Sequence, residues 1–208
     1  MKAVSISSNH IGKLALTLLL TIGLLGALFP QASFADEGDE DSSTLTSNAA
    51  VVFEKGDIVL DSVPSFDFGE QAISSEDASY NAEEISGVIQ VSDLRGTGEG
   101  WDLQVSLSPF ELTEGSSATL EGAYINIIGG TVIGTPVAEE DKPELVGETI
   151  TIASDNEQVS VFSAAAGSGR GVWGLSLSES DVSLNVIANT AHVGESSAVL
   201  TWSLTAAP

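Results

Sequence analysis

Apolar and polar positions alternate along most of the chain from about residue 49 onward. The clearest stretch is Trp101–Ser108, where Trp101, Leu103, Val105 and Leu107 point one way and Asp102, Gln104, Ser106 and Ser108 the other. A period of two marks a strand with one face buried. Trp173, Leu175 and Leu177 alternate with Gly174, Ser176 and Ser178. Val182, Leu184 and Val186 alternate with Ser183 and Asn185, and Leu200, Trp202 and Leu204 with Thr201, Ser203 and Thr205. The same reading predicts strands at Val51–Phe53, Ile58–Leu60, Val88–Leu94, Ala123–Ile128, Thr149–Ala153 and Gln158–Ser163. No stretch after residue 48 carries a sustained helical period; Ala78–Glu84 is expected to make one helical turn.

Turn residues separate these segments. Gly96-Thr97-Gly98-Glu99-Gly100 is expected to close a hairpin between Val88–Leu94 and the Trp101 strand. Gly129-Gly130, Gly134 with Pro136, and Gly167–Gly171 punctuate the rest, and Glu139–Glu148 reads as an acidic loop. About ten short strands of this kind predict an all-β fold, an antiparallel β-sandwich of immunoglobulin-like or jelly-roll-like type. It would occupy residues 49–208, enough chain to bury a core without cross-links.

The first 35 residues follow another pattern. Lys2 and Lys13 precede an apolar run, Leu14–Phe29, and the small residues Ser33 and Ala35 stand before Asp36. These are the parts of a secretory signal peptide, residues 1–35, cut after Ala35. The run is too short for an ordinary membrane span, which needs about 20 residues. No second such run follows, so no stable membrane insertion is expected after cleavage. Residues 36–48 are acidic and polar and read as a flexible tail. The C-terminus carries no apolar tail, basic tail or Leu-Pro-x-Thr-Gly signal, so surface attachment is expected to be non-covalent.

Charge and composition narrow the function. With 30 acidic residues against 6 Lys and Arg, the net charge is −24. Such a surface repels phosphate backbones and anionic lipid, which excludes nucleic acid as a partner. Cysteine is absent, so there is no thiol nucleophile, disulfide framework or cysteine zinc site. Beyond the leader the only histidine is His192, read as a solvated turn residue. No Gly-x-Ser-x-Gly element frames a nucleophile. Some pair of carboxylates will always sit at glycosidase spacing in so acidic a sandwich, and nothing singles one out. No enzyme activity, cofactor or metal is therefore expected. A cation site assembled from loop oxygens is a weaker alternative.

Three tryptophans remain, Trp101, Trp173 and Trp202, each followed two residues later by Leu on the same strand face. They are either core side chains between sheets or, for an exposed pair, a stacking platform for sugar rings.

The outer two sit in recognisable settings, Gly100-Trp101-Asp102-Leu103 and Leu200-Thr201-Trp202-Ser203-Leu204 followed at the proper interval by Pro208. Together with Asp67-Phe68-Gly69 they make the chain resemble the WxL-domain surface proteins of low-GC Gram-positive bacteria, over about residues 48–208. Ser196 stands where that family's pattern has Tyr. The resemblance implies a secreted protein held non-covalently at the cell wall, with peptidoglycan as its ligand and Trp101, Leu103, Trp202 and Leu204 as the binding residues. Gly100, Asp102, Leu200, Thr201 and Pro208 would support the motifs, and Trp173 would be core. It also implies membrane-anchored surface proteins as partners. The alternative is a structural subunit that docks such a partner and uses its tryptophans only as core.

Overall fold

The computed structural model describes residues 44–113, 118–134 and 139–206. The expected signal peptide, residues 36–43 of the acidic tail, and Pro208 lie outside the described residues. The chain divides into two units, Met1–Ala50 and Val51–Pro208. Of the first unit, the described residues 44–50 are exposed and without regular structure.

The second unit is all-β, and every ladder in it is antiparallel. In chain order the strands are β1 (Ile58–Ser62), β2 (Ser65–Asp67), β3 (Ala78–Asn81), β4 (Glu84–Ser86), β5 (Ile89–Asp93), β6 (Trp101–Leu107), β7 (Glu111–Leu112) and β8 (Tyr124–Ile127). They continue with β9 (Thr131–Gly134), β10 (Glu144–Leu145), β11 (Ile150–Ala153), β12 (Val159–Ala164), β13 (Gly171–Ser176), β14 (Val182–Val186), β15 (Ser196–Ser197) and β16 (Leu200–Ala206). They form three four-stranded sheets, ordered β1-β5-β13-β9, β10-β12-β6-β16 and β11-β8-β14-β3, and two small ribbons, β15-β7 and β2-β4.

The alternation seen in the sequence is the reason these segments pair. β6 buries Trp101, Leu103, Val105 and Leu107, β5 buries Ile89 and Val91, and β14 buries Val182, Leu184 and Val186. These side chains join Phe162, Trp173, Leu175, Ile125, Ile127 and Ile152 in one core cluster. Each fully buried side chain of this size contributes about 1.5–3 kcal/mol over an exposed one.

Four expectations are corrected. Val88–Leu94 and the Trp101 strand do not form a hairpin: β5 and β6 lie in different sheets, each already flanked on both sides. The glycine loop instead crosses between sheets, held by Arg95. Its buried guanidinium donates to Asp93 at 2.8 and 2.7 Å, to Glu99 at 3.0 Å and to the Gly100 carbonyl at 2.8 Å. Ala78–Glu84 is not helical but supplies β3 and the start of β4, because Tyr80 and Ile85 each pack toward the core from a strand. Val51–Phe53 forms no strand, and all three side chains stay largely exposed. Within Glu139–Glu148 a 3-10 turn, Glu139–Asp141, is followed by β10 on the edge of its sheet.

Candidate functional site

β6 and β16 are neighbours, so the two Trp-x-Leu motifs lie side by side. The register sets Leu107 opposite Leu200, Val105 opposite Trp202, Leu103 opposite Leu204 and Trp101 opposite Ala206. Cross-strand partners share a face, so both tryptophans point inward. They are four positions apart along the ladder, about 13 Å at the usual rise of a strand.

Their surroundings differ. Trp101 is wholly buried, its ring 5.1 Å from Phe162 in an edge-on contact. Its indole N–H donates to the Gly169 carbonyl at 3.1 Å. Gly169 has φ +72°, and a Cβ there would come within 2.6 Å of the Trp101 nitrogen. Only glycine fits that contact. Gly100, also at positive φ, packs against the backbone of Ala164 and Ala165 where a Cβ would collide. Trp202 lies on the edge strand and is only partly buried, yet its Nε1 is enclosed with no hydrogen-bond partner among the described residues. Such an orphan donor costs about 1–3 kcal/mol. Trp173 is core, with its N–H on the Arg170 carbonyl at 2.9 Å.

The remaining motif residues are stitches. Asp102 faces away from the core, and its carboxylate accepts from Gln104 and from Ser160 of β12, both at 2.8 Å. Its carbonyl accepts from Thr205 of β16 at 3.3 Å. One residue thus ties three strands. Thr201 is exposed opposite Ser106, Leu200 and Leu204 pack partly against the core, and Leu103 is wholly buried.

Two of the four residues expected to form the joint platform lie wholly inside. Trp101 and Leu103 offer no surface to a ligand in this fold, because the β6–β16 register turns both motifs to the inner face. Asp93 belongs to the same framework. The Arg95 guanidinium, hydrogen bonded to it, holds its carboxyl below the ordinary value of 3.8 against the opposing effect of burial.

An open cleft lies at the other end of the β6–β16 pair, where Leu107 meets Leu200. It encloses about 480 Å³, within the range of small-molecule sites. Its floor is the buried apolar end of the core, including Leu107, Phe110, Ile125 and Leu184. Phe66, Phe68 and Tyr80 line the cleft as well. Residues between Ala191 and Leu200, among them His192, Glu195 and Ser196, line it too. Tyr80 is held by a 3.1 Å hydrogen bond from its hydroxyl to the Ala72 carbonyl, and Gln71 bonds the Phe68 carbonyl at 2.7 Å. Three carboxylates, Asp67, Glu76 and Glu195, line the mouth. His192 is exposed, as expected of a turn residue, and also stands on this rim.

Sequence reasoning missed the cleft. Its residues come from five separated segments, and those already noted, such as Asp67-Phe68-Gly69, Leu107, Leu184, His192, Ser196 and Leu200, had each been noted for another reason. It also missed Arg95 and Gly169 as the residues that seat Trp101. The charged Asp93-x-Arg95 pair closing an apolar strand was the available signal for the first. No group of three or more potential metal ligands converges among the described residues.

The chain matches the family model of the WxL domain, described as surface cell wall-binding, over residues 35–208. No curated protein and no solved structure matches it.

Proposed function

The chain belongs to the WxL family of surface, cell wall-binding domains, and from that premise we propose that it is exported and attaches itself non-covalently to the wall by binding peptidoglycan. The observation that carries this reading is the cleft, a concave site with an apolar, partly aromatic wall and a polar mouth. Aromatic and aliphatic surface takes the apolar faces of sugars or peptide side chains, and the rim groups fix orientation. Trp101 acts in this reading as framework. It locks β6, and β6 carries Leu107 to the cleft floor. Trp202 and Leu204 hold β16 against β6 and so set the position of Leu200 and of the wall that precedes it.

The test is co-sedimentation with purified peptidoglycan stripped of anionic polymers, using protein from Asp36 onward. Pelleting is expected. A protein that stays in the supernatant refutes direct attachment.

A second reading is favoured by a separate observation. β16 has seven residues and, among the described residues, one ladder partner, β6. A long free edge is a template for strand addition by another protein. In that reading a membrane-anchored surface protein docks on β16 and the tryptophans are core alone. Failure to pellet with peptidoglycan, together with recruitment by such a partner, is its expected signature.

A further inference from the structure

We propose that the cleft takes an amine-bearing side chain of the peptidoglycan peptide stem, so that the protein recognises the peptide and not the glycan strand. This rests on the peptidoglycan reading above and names the part of the polymer bound. The argument begins with depth. Leu107, Phe110 and Ile125 beneath the cleft are at most 6 % exposed, and the half-buried Phe66, Phe68 and Tyr80 line it, so a group that enters deeply gives up part of its water against apolar side chains. A sugar ring carries hydroxyls around its whole edge, and an unpaired hydroxyl in such a place is penalised. An unbranched aliphatic chain is not.

Charge selects the end of that chain. The mouth carries Asp67, Glu76 and Glu195, and among the described residues no Lys or Arg lines the cleft. The net charge of the chain is −24. A carboxylate or phosphate is repelled from this opening, whereas an ammonium group is drawn to it. Asp67 already accepts from the Gly69 N–H at 2.8 Å. That bond holds one carboxylate at the mouth in place. An alkyl stem tipped by an ammonium lays its methylenes on apolar surface and keeps its charge at the polar rim. The diamino acid side chain of an uncross-linked stem has this form, so the cleft would favour wall sites where that amine is free.

The test uses soluble probes and calorimetry or fluorescence titration. A disaccharide-peptide with a lysine in its stem is compared with the same molecule N-acetylated on that lysine, and with a β-1,4-linked N-acetylglucosamine oligomer. The variants are E76Q/E195Q and S196Y. Glu76 and Glu195 are exposed and Ser196 lines the cleft, so each change is expected to leave the fold intact, checked by circular dichroism. The free-amine probe is expected to bind. Acetylation, or loss of the two carboxylates, should weaken it roughly three- to tenfold, the scale of exposed charge pairs. S196Y, which sets the larger side chain of the family's pattern in the cleft, should narrow it and weaken binding of the free-amine probe as well.

Binding of the glycan oligomer as tightly as the free-amine probe overturns the inference while leaving peptidoglycan attachment intact. So does pelleting with whole peptidoglycan and no response to any soluble probe. A dimeric protein made monomeric by S196Y would mean that a second copy fills the cleft, and would also overturn it. Failure to pellet at all removes the underlying reading instead.

Discussion

Replacing Gly169 by Ala tests whether the buried indole of Trp101 is fixed by close approach of the backbone. Two consequences of the added methyl can be separated. The first is conformational: Gly169 has φ +72°, and an L-residue in the left-handed region costs roughly 1–2 kcal/mol. The second is steric. The new Cβ would lie 2.6 Å from the Trp101 nitrogen and 3.1 Å from its Cε2, and would overlap the Ala164 side chain. Forcing a methyl into a packed core costs typically 1–3 kcal/mol. Displacing the indole also loses its bond to the Gly169 carbonyl, about 1 kcal/mol more. G171A supplies the control. Gly171 has φ +95° and open space around its would-be Cβ, so it carries the conformational cost alone. Urea unfolding followed by tryptophan fluorescence should give a difference between the two variants of roughly 2–4 kcal/mol, with unchanged slopes. Equal stabilities would refute the claim that Gly169 is what seats Trp101.

Other perturbations separate the remaining framework contacts. Arg95→Ala strips the buried Asp93 carboxylate of its partner and should destabilise the fold by about 3–5 kcal/mol, read from the same urea titration. Because the folded-state pKa of Asp93 is held below 3.8, its contribution is present above the unfolded value. It should be lost as pH falls through the folded one; an Asp93→Asn variant should show a shallower loss of stability on acidification. Trp202→Phe removes the orphaned N–H and should stay within about 1 kcal/mol of the parent, whereas Trp101→Phe loses a made hydrogen bond and packed volume and should cost about 2–3 kcal/mol. Thermal melts of the two would decide, and a costlier Trp202→Phe would contradict the assigned environments. Binding to intact walls should not fall steeply with added salt, because screening the repulsion between the anionic protein and anionic wall polymers offsets the screening of rim contacts; steep loss across a salt series with intact walls would contradict this.

Strands were legible where one face is buried and the other is wet. Trp101–Ser108, Val182–Val186 and Leu200–Thr205 could be read because alternation records burial directly. What pairs with what could not be read. Gly96–Gly100 would serve a hairpin or a crossing between sheets equally well. The choice is made by Arg95 and by neighbours such as Val172 of β13, opposite Ser92 of β5 and far away in sequence. Val51–Phe53 carries the composition of a strand but has no partner ladder, and composition alone cannot supply one. The inward direction of both Trp-x-Leu motifs follows the same alternation, but how fully each tryptophan is covered depends on neighbours that alternation does not name.

The register between β6 and β16 then separates two tasks that the sequence had merged at the tryptophans. Trp101 sits at one end of β6, tied to Gly169, and Leu107 sits at the other end, on the floor of the cleft. β16 runs antiparallel, so its first residue, Leu200, reaches the same cleft while Ala206 lies beside Trp101. The motif residues Trp101, Leu103 and Leu204 fix a ladder whose far end carries the open surface. A side chain can be essential to binding in such an arrangement without touching the ligand. Loss of binding on Trp101→Ala would therefore not assign a contact unless the fold of the variant were shown to survive. The cleft substitutions E76Q/E195Q and S196Y avoid that ambiguity, because they alter the mouth and wall while leaving the β6–β16 ladder in place.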